Sequence, residues 1–195
     1  MVILPGASII GYNGSFPKLG AGVFLAPGAH IIGDVIAGHE CSFWFNTVTR
    51  GDCNYIRIGN RVNIQDGSVI HVTSKLFPTS IEDDVSIGHN ATIHGCHIKQ
   101  GCLIGMGATL LDGSEIGERS FVAAGSLVPP QKKYPGGVLI KGYPAKVIRK
   151  LTKEDFDLLN KTTEYYLDYK SKYEDQPIIT HQKKETISPT PLEMP

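Results

Sequence analysis

The sequence predicts an all-β repeat fold: a parallel β-helix of six-residue units, followed by one C-terminal α-helix. Two observations predict the β-helix and a third predicts the helix. Branched residues fall six apart at Ile98, Ile104, Leu110, Ile116, Val122 and Val128. Glycine or another small residue follows in many units, as in IGMGAT, LLDGSE and VAAGSL. Past Val128 the rhythm yields to PPQKKYPGGVLIKGYPAK, and then to LTKEDFDLLNKTTEYYLDYKSKY with helical apolar spacing.

Six is a multiple of the strand period of two and not of 3.6, so each unit reads as a short strand plus a turn. One branched residue per unit points inward, and Gly, Asn or Asp supplies the turn. Three units close a triangular coil of about eighteen residues, and stacked coils form the β-helix. The same step holds at Ile81, Ile87 and Ile93, at Ile58, Ile64 and Ile70, and more loosely at Ile36, Ser42 and Val48. The prolines and glycines after Val128 mark the expected end of the repeat. Thr152 and Asp155 then read as a capping box. Phe156, Leu159, Thr163, Tyr166 and Lys170 mark one face of a helix running to about Glu174. Tyr165, Tyr166, Tyr169 and Tyr173 are expected to pack on the prism. The predicted organisation is a β-helix over residues 1–135, a connecting loop and helix over 136–175, and a polar tail over 176–195, free or laid on a neighbour.

Composition excludes several classes of function. With 19 Lys+Arg against 19 Asp+Glu in 195 residues, no general electrostatic attraction to nucleic acid or a membrane surface is expected. No apolar run approaches the roughly 18 residues a membrane span needs. MVILPGASII lacks the features of a secretory signal. Cys41, Cys53, Cys96 and Cys102 form no C-x-x-C pair, which fits buried residues in a reducing cytoplasm.

The histidines carry the chemistry. His71 follows Ile70 and His94 follows Ile93, so both occupy equivalent outward positions. Their separation is one coil plus five residues. If TSKLFPTS, with Pro78, loops out from a corner, His71 and His94 stack on adjacent coils, about 4.8 Å apart. If Leu76 points inward instead, His71 stacks with His89 and His94 stands apart. Either register strands one histidine and calls for a second subunit. Three neutral imidazoles with an open fourth position suit a catalytic zinc site, and iron, cobalt or nickel could take the same ligands. His30, His39, His97 and His181 show no such relation.

The chain resembles the γ-class carbonic anhydrase family over about residues 10 to 175. The resemblance rests on VTRGD with Arg50 and Asp52, NIQDGSVIH with Gln65, Asp66 and His71, and IGHNATIHGC with His89 and His94. It implies a left-handed β-helix, an exception to the usual right-handed crossover. It also implies a homotrimer with Zn2+, or Fe2+ or Co2+, at each interface, bound by His71 and His94 of one chain and His89 of the next. Arg50, Asp52 and Asp66 would form an interfacial ion-pair cluster, and Gln65 an amide near the ion that orients the small-molecule substrate. The implied reaction is attack of an activated water on carbon dioxide, giving bicarbonate and one proton. Proton transfer is where the chain departs from the family pattern: Cys53 stands where a glutamate follows RGD, and TSKLFPTS has no acid. Tyr165, or its neighbour Tyr166, is the substitute expected to reach the site, and the expected rate is low.

Three other functions share parts of this pattern. A hexapeptide acyltransferase would use one histidine as general base on acyl-CoA, without metal. A metal-dependent thioester hydrolase would turn the same water on another carbonyl. A trimeric scaffold would keep the histidines for stability alone.

Overall fold

A computed structural model, which describes residues 1–174 and 176, shows the chain wound into a triangular prism of mostly parallel strands. The first face is a nine-stranded sheet running from Val2–Ile3 through Asn63–Ile64 to Val138–Gly142, ended by the antiparallel strand Ala145–Lys150. The other two faces join as one twelve-stranded sheet. They join because His30–Ala37 and Val48–Ile58 run unbroken round the corner between them. Val69–His71 and Thr92–His94 lie on the second face, and Thr79–Ile81 and His97–Ile98 on the third.

Inside the prism like stacks on like. Ile64, Ile87, Ile104, Val122 and Ile140 pair in register down the first face. Ile70, Ile93, Leu110 and Val128 do so down the second, and Ile58, Ile81, Ile98, Ile116 and Tyr134 down the third. All are 5% exposed or less. Fully burying one such side chain contributes about 1.5–3 kcal/mol, and a slip of one residue would turn the whole set outward.

The prism outlasts the predicted repeat. Tyr134 and Ile140 keep the six-residue step beyond Val128, and Tyr134 Oη donates to the Ala145 carbonyl at 2.8 Å. An aromatic ring with a satisfied hydroxyl does there what a branched aliphatic does elsewhere. The expected connecting loop from residue 136 therefore begins with the last coil strand and a hairpin, Val138–Gly142 with Ala145–Lys150. The early register also differs from expectation. The inner row there is Leu25, Ile31, Ala37, Phe43 and Thr49, while Ile36 is 39% exposed. Ala37 and Thr49 hide the row because neither is a branched aliphatic. The predicted tail from residue 177 to 195 lies outside the described residues.

Where coils are regular, partners are eighteen residues apart, as Ile104 with Val122. Four steps break this rule: Ile9 to Ile31, Ala37 to Ile58, Ile58 to Ile81, and Ile81 to Ile98, the last one residue short. In every case the irregularity falls at the corner between the second and third faces. Near Cys53, the single residue between Gly33 and Val35 faces four between Gly51 and Ile56. The excursion after His71 closes with a bridge between Thr73 and Phe77, leaving Leu76 70% exposed. This selects the register in which His71 pairs with His94.

The helix Lys153–Glu174, α1, covers the first face. Its inner side buries Leu159, Thr163 and Lys170 over the small outward residues Ser42, Asn63 and Ser86. Lys170 Nζ donates to the Gly22 carbonyl at 2.7 Å and pairs with Glu40. Trp44 packs edge-on against Tyr166 and Tyr173 at 5.3 and 5.4 Å. Tyr165 and Tyr169, rotated off this side, are 53% and 45% exposed, so two of the four tyrosines do not pack on the prism. The capping box forms, with the Thr152 N–H donating to Asp155 Oδ2 at 2.7 Å.

Two substitutions separate core from coil closure. A Cβ on Gly105 would lie 2.4 Å from the Ala124 backbone nitrogen of the next coil. Gly105→Ala should therefore destabilise by about 1–3 kcal/mol through overpacking. Ile87→Ala should cost about 2–5 kcal/mol by leaving a cavity. Urea unfolding at fixed protein concentration reads both.

Candidate metal centre

The irregular corner gathers the site. His71 ends Val69–His71, and His94 ends Thr92–His94 one coil on, directly before the short step at Gly95. His71 Nδ1 and His94 Nε2 face each other at 3.1 Å. The other nitrogen of each ring meets a carboxylate. His71 Nε2 lies 3.1 Å from Asp52 Oδ1, and His94 Nδ1 2.7 Å from Asp112 Oδ1. Each carboxylate accepts a ring N–H and thereby fixes which nitrogen keeps its lone pair.

Those lone pairs are the two that face each other. Two acceptors at 3.1 Å with their protons donated elsewhere repel, and a cation between them removes the conflict. The separation also fits, because two nitrogens about 2.0–2.1 Å from a tetrahedral zinc sit about 3.3 Å apart. Oriented neutral imidazoles are what a zinc, iron or cobalt ion requires. The residues present fit a metal.

Asp52 stands on the excursion Gly51–Ile56, where extra residues push it out toward His71. Arg50 pairs with its second oxygen. Burial alone would raise the Asp52 carboxyl, but the hydrogen bonds from His71 and Arg50 hold it below the usual range. Asp112 is braced by Thr73, whose Oγ1 donates to Oδ2 at 2.8 Å. Sequence reasoning missed Asp112. The available signal was its place eighteen residues after His94, one regular coil on.

His89 stands elsewhere, on the corner between the first and second faces, just before Asn90. Its Nδ1 lies 2.7 Å from Asp66 Oδ2, and its Nε2 3.4 Å from Tyr166 Oη. So each of the three histidines has a carboxylate beside it, although a single chain does not bring all three together. Asp66 belongs with His89, so Arg50, Asp52 and Asp66 form no cluster within one chain. Gln65 also lies on the His89 side: its backbone N–H donates to Ile87, and its amide donates to Asn63 Oδ1 at 3.1 Å. Asn63 in turn donates to Ser86, under α1. Among the described residues the amide makes no hydrogen bond to a histidine.

Of the two tyrosines expected near the site, one lies beside a histidine within the chain. Tyr165 is turned outward and stacks on Tyr169 at 6.4 Å. Tyr166, one hundred degrees further round the helix, reaches His89. Burial and the nearby Asp66 push its hydroxyl up to about 12, so it stays protonated and able to donate. Cys53 corrects another expectation, being exposed while Cys41, Cys96 and Cys102 are buried.

A family model for bacterial transferase hexapeptide repeats matches residues 78–110 and 95–130. The gamma carbonic anhydrase 2 of Arabidopsis thaliana, named as mitochondrial, is 43% identical over 78% of this chain and 56% of its own length. The chain thus spans little more than half of that plant relative. A carbonic anhydrase of Geobacillus kaustophilus is 44% identical over 80% of this chain and 86% of its own. Escherichia coli YrdA is 40% identical over 85% and 93%. A solved Bacillus cereus structure carrying an acetyltransferase label superposes with TM-score 0.84 at 46% identity, covering 87% of this chain and 98% of that one. With these neighbours the prism is a left-handed β-helix.

Asp112→Asn should weaken metal binding about 10- to 100-fold, as loss of an orienting carboxylate does. Tyr165→Phe should leave it unchanged. Competition with a chromophoric chelator measures both.

Proposed function

This chain belongs to the γ-class carbonic anhydrase family of hexapeptide-repeat proteins, and on that premise we propose that it is a metalloenzyme that hydrates carbon dioxide reversibly to bicarbonate. The observation that carries the reading is the facing pair His71 Nδ1 and His94 Nε2, each lone pair freed by a carboxylate on the opposite side of its ring.

The third ligand in this proposal is His89 of a neighbouring subunit in a homotrimer. Its own ring is oriented in the same way, with Asp66 on Nδ1, while Nε2 stands 3.4 Å from Tyr166 Oη. Zn2+ is the proposed ion, with Fe2+ or Co2+ able to use the same imidazoles. When bound, such an ion supplies Lewis acidity and lowers the pKa of a water to about 7.

The chain's own residues bind, orient and manage protons. Asp52 and Asp112 hold the two imidazoles in one tautomer, so their lone pairs keep one direction. Arg50 keeps Asp52 ionised and therefore able to accept the His71 proton. The Gln65 amide, with His89, would approach the substrate from the second subunit and orient it by a hydrogen bond. Tyr166 Oη, held protonated, is the proposed donor beside that same histidine, in place of Tyr165. No carboxylate stands at position 53 or in residues 73–80 to relay protons outward. Turnover is accordingly proposed to be limited by proton export. No helix among the described residues is long and apolar enough to cross a membrane. The free thiols fit a reducing compartment, for which we propose the cytoplasm.

Metal content, oligomer mass and carbon dioxide hydration of one anaerobic preparation test the reading together. Wild type should hold at least about one ion per chain in a trimer and hydrate carbon dioxide, with activity lost on chelation. His89→Ala should lose the ion and the activity while remaining folded. A metal-free trimer that binds acyl-CoA would replace this reading with acyl transfer.

A further inference from the structure

The exposed thiol of Cys53 stands on the same corner excursion as Asp52, its sulfur 3.6 Å from the Val72 carbonyl. The Asp52 carboxylate, the Cys53 thiol and a His71 ring nitrogen all lie within 4.8 Å of one another. Among the described residues this is the one trio of such donors gathered so closely. It is distinct from the histidine pair, because His71 turns Nδ1 to His94 and Nε2 to Asp52. We propose that Asp52, Cys53 and His71 form a second cation site, which takes a thiophilic divalent ion such as zinc or cadmium and adjoins the histidine pair through the shared ring of His71.

The donor set sets the class of ion. Thiolate with imidazole selects soft and borderline cations, whereas magnesium and calcium demand oxygen ligands. In a tetrahedral zinc site, ligand atoms about 2.0–2.3 Å from the ion stand about 3.3–3.8 Å apart. His71 and Asp52 already stand 3.1 Å apart, so contraction from 4.8 Å falls to the exposed Cys53 side chain. Arg50 opposes a cation here, but its guanidinium takes Oδ2 of Asp52 and leaves Oδ1 toward the trio. That opposing charge further favours ions with strong affinity for sulfur. Binding sends the thiol proton and the proton shared by His71 and Asp52 to solvent. Asp52 is already ionised, so the two new negative charges that balance the ion are the Cys53 thiolate and His71, which becomes an imidazolate bridging the two ions through Nδ1 and Nε2.

The proposal does not depend on carbon dioxide chemistry. Its test is cadmium binding by the full chain, followed by equilibrium dialysis and by the ultraviolet thiolate-to-cadmium charge-transfer band. Wild type should bind about two ions per chain, with the band growing alongside one of them. Cys53→Ser should lose the band and one ion while keeping the other. Asp52→Asn, whose fold is checked by circular dichroism, should weaken the band-forming ion at least tenfold. His94→Ala should lose the silent ion and keep the band. Cadmium binding without a band in wild type, or an intact band in Cys53→Ser, overturns the second site. A band that forms with no silent ion would instead sink the histidine centre and leave the second site standing.

Discussion

Register between coils is the constraint on which everything else rests. Two of the three corners are held by unbroken ladders of backbone hydrogen bonds. At the first-to-second corner Gly28, Asn46, Gly67, Asn90, Gly107 and Gly125 each donate to the coil before. At the third-to-first corner Glu40, Arg61, Asp84, Gly101, Arg119 and Gly137 do the same. All twelve of these residues have positive φ, which Gly and Asn tolerate cheaply. An inserted residue at either corner would break the ladder and orphan buried polar groups. The third corner has such a ladder only in its later part, at Gly95, Gly113 and Gln131. Every extra or missing residue in the coils is found there, and so is the His71–His94 pair.

The site follows from that tolerance. An insertion between Gly51 and Ile56 lifts Asp52 out of the strand, and the loop after His71 lifts Thr73 toward Asp112. Asn54 Nδ2 donates to the Thr73 carbonyl at 3.0 Å, stacking one excursion on the other. The two histidines themselves sit on regular strands, which hold their backbones rigidly. The candidate ligands stand on strands, while Asp52 stands on one excursion and Asp112, on a regular turn, is braced by Thr73 of the other. The strands fix distance, and the corner carboxylates fix tautomer.

This division also explains what the sequence could and could not reveal. The period of six is imposed by the core, so Ile58 to Val128 declared the prism and its faces directly. Ile36 was misread because Ala37 and Thr49 occupy inward places without a branched aliphatic, and because the strand Val48–Ile58 carries extra residues. Tyr134 escaped for a similar reason, since its ring is large and its hydroxyl needs the Ala145 carbonyl that only the hairpin supplies. His71 and His94 were legible from their matched position after an inward isoleucine. Their two possible registers were not separable, because the choice turned on whether Leu76 faced in or out. Asp112 was hidden because a turn aspartate looks like any other until the coil above it is placed.

Proton traffic is the least ordinary feature of the centre. The carboxylates beside the paired histidines, Asp52 and Asp112, already accept ring protons. Making either one a shuttle would free its imidazole to rotate or change tautomer, and the lone pairs would no longer converge. Asp66 is committed to His89 in the same manner. A carboxylate cannot hold a ligand's tautomer and carry protons away without compromising one task. With Cys53 and an acid-free loop where acids could have stood, relay in the proposed reaction would fall to hydroxyls or solvent. The same substitution places a sulfur beside Asp52 and His71. The residue that leaves the corner without a carboxylate is thus the one that would give it a third kind of metal ligand.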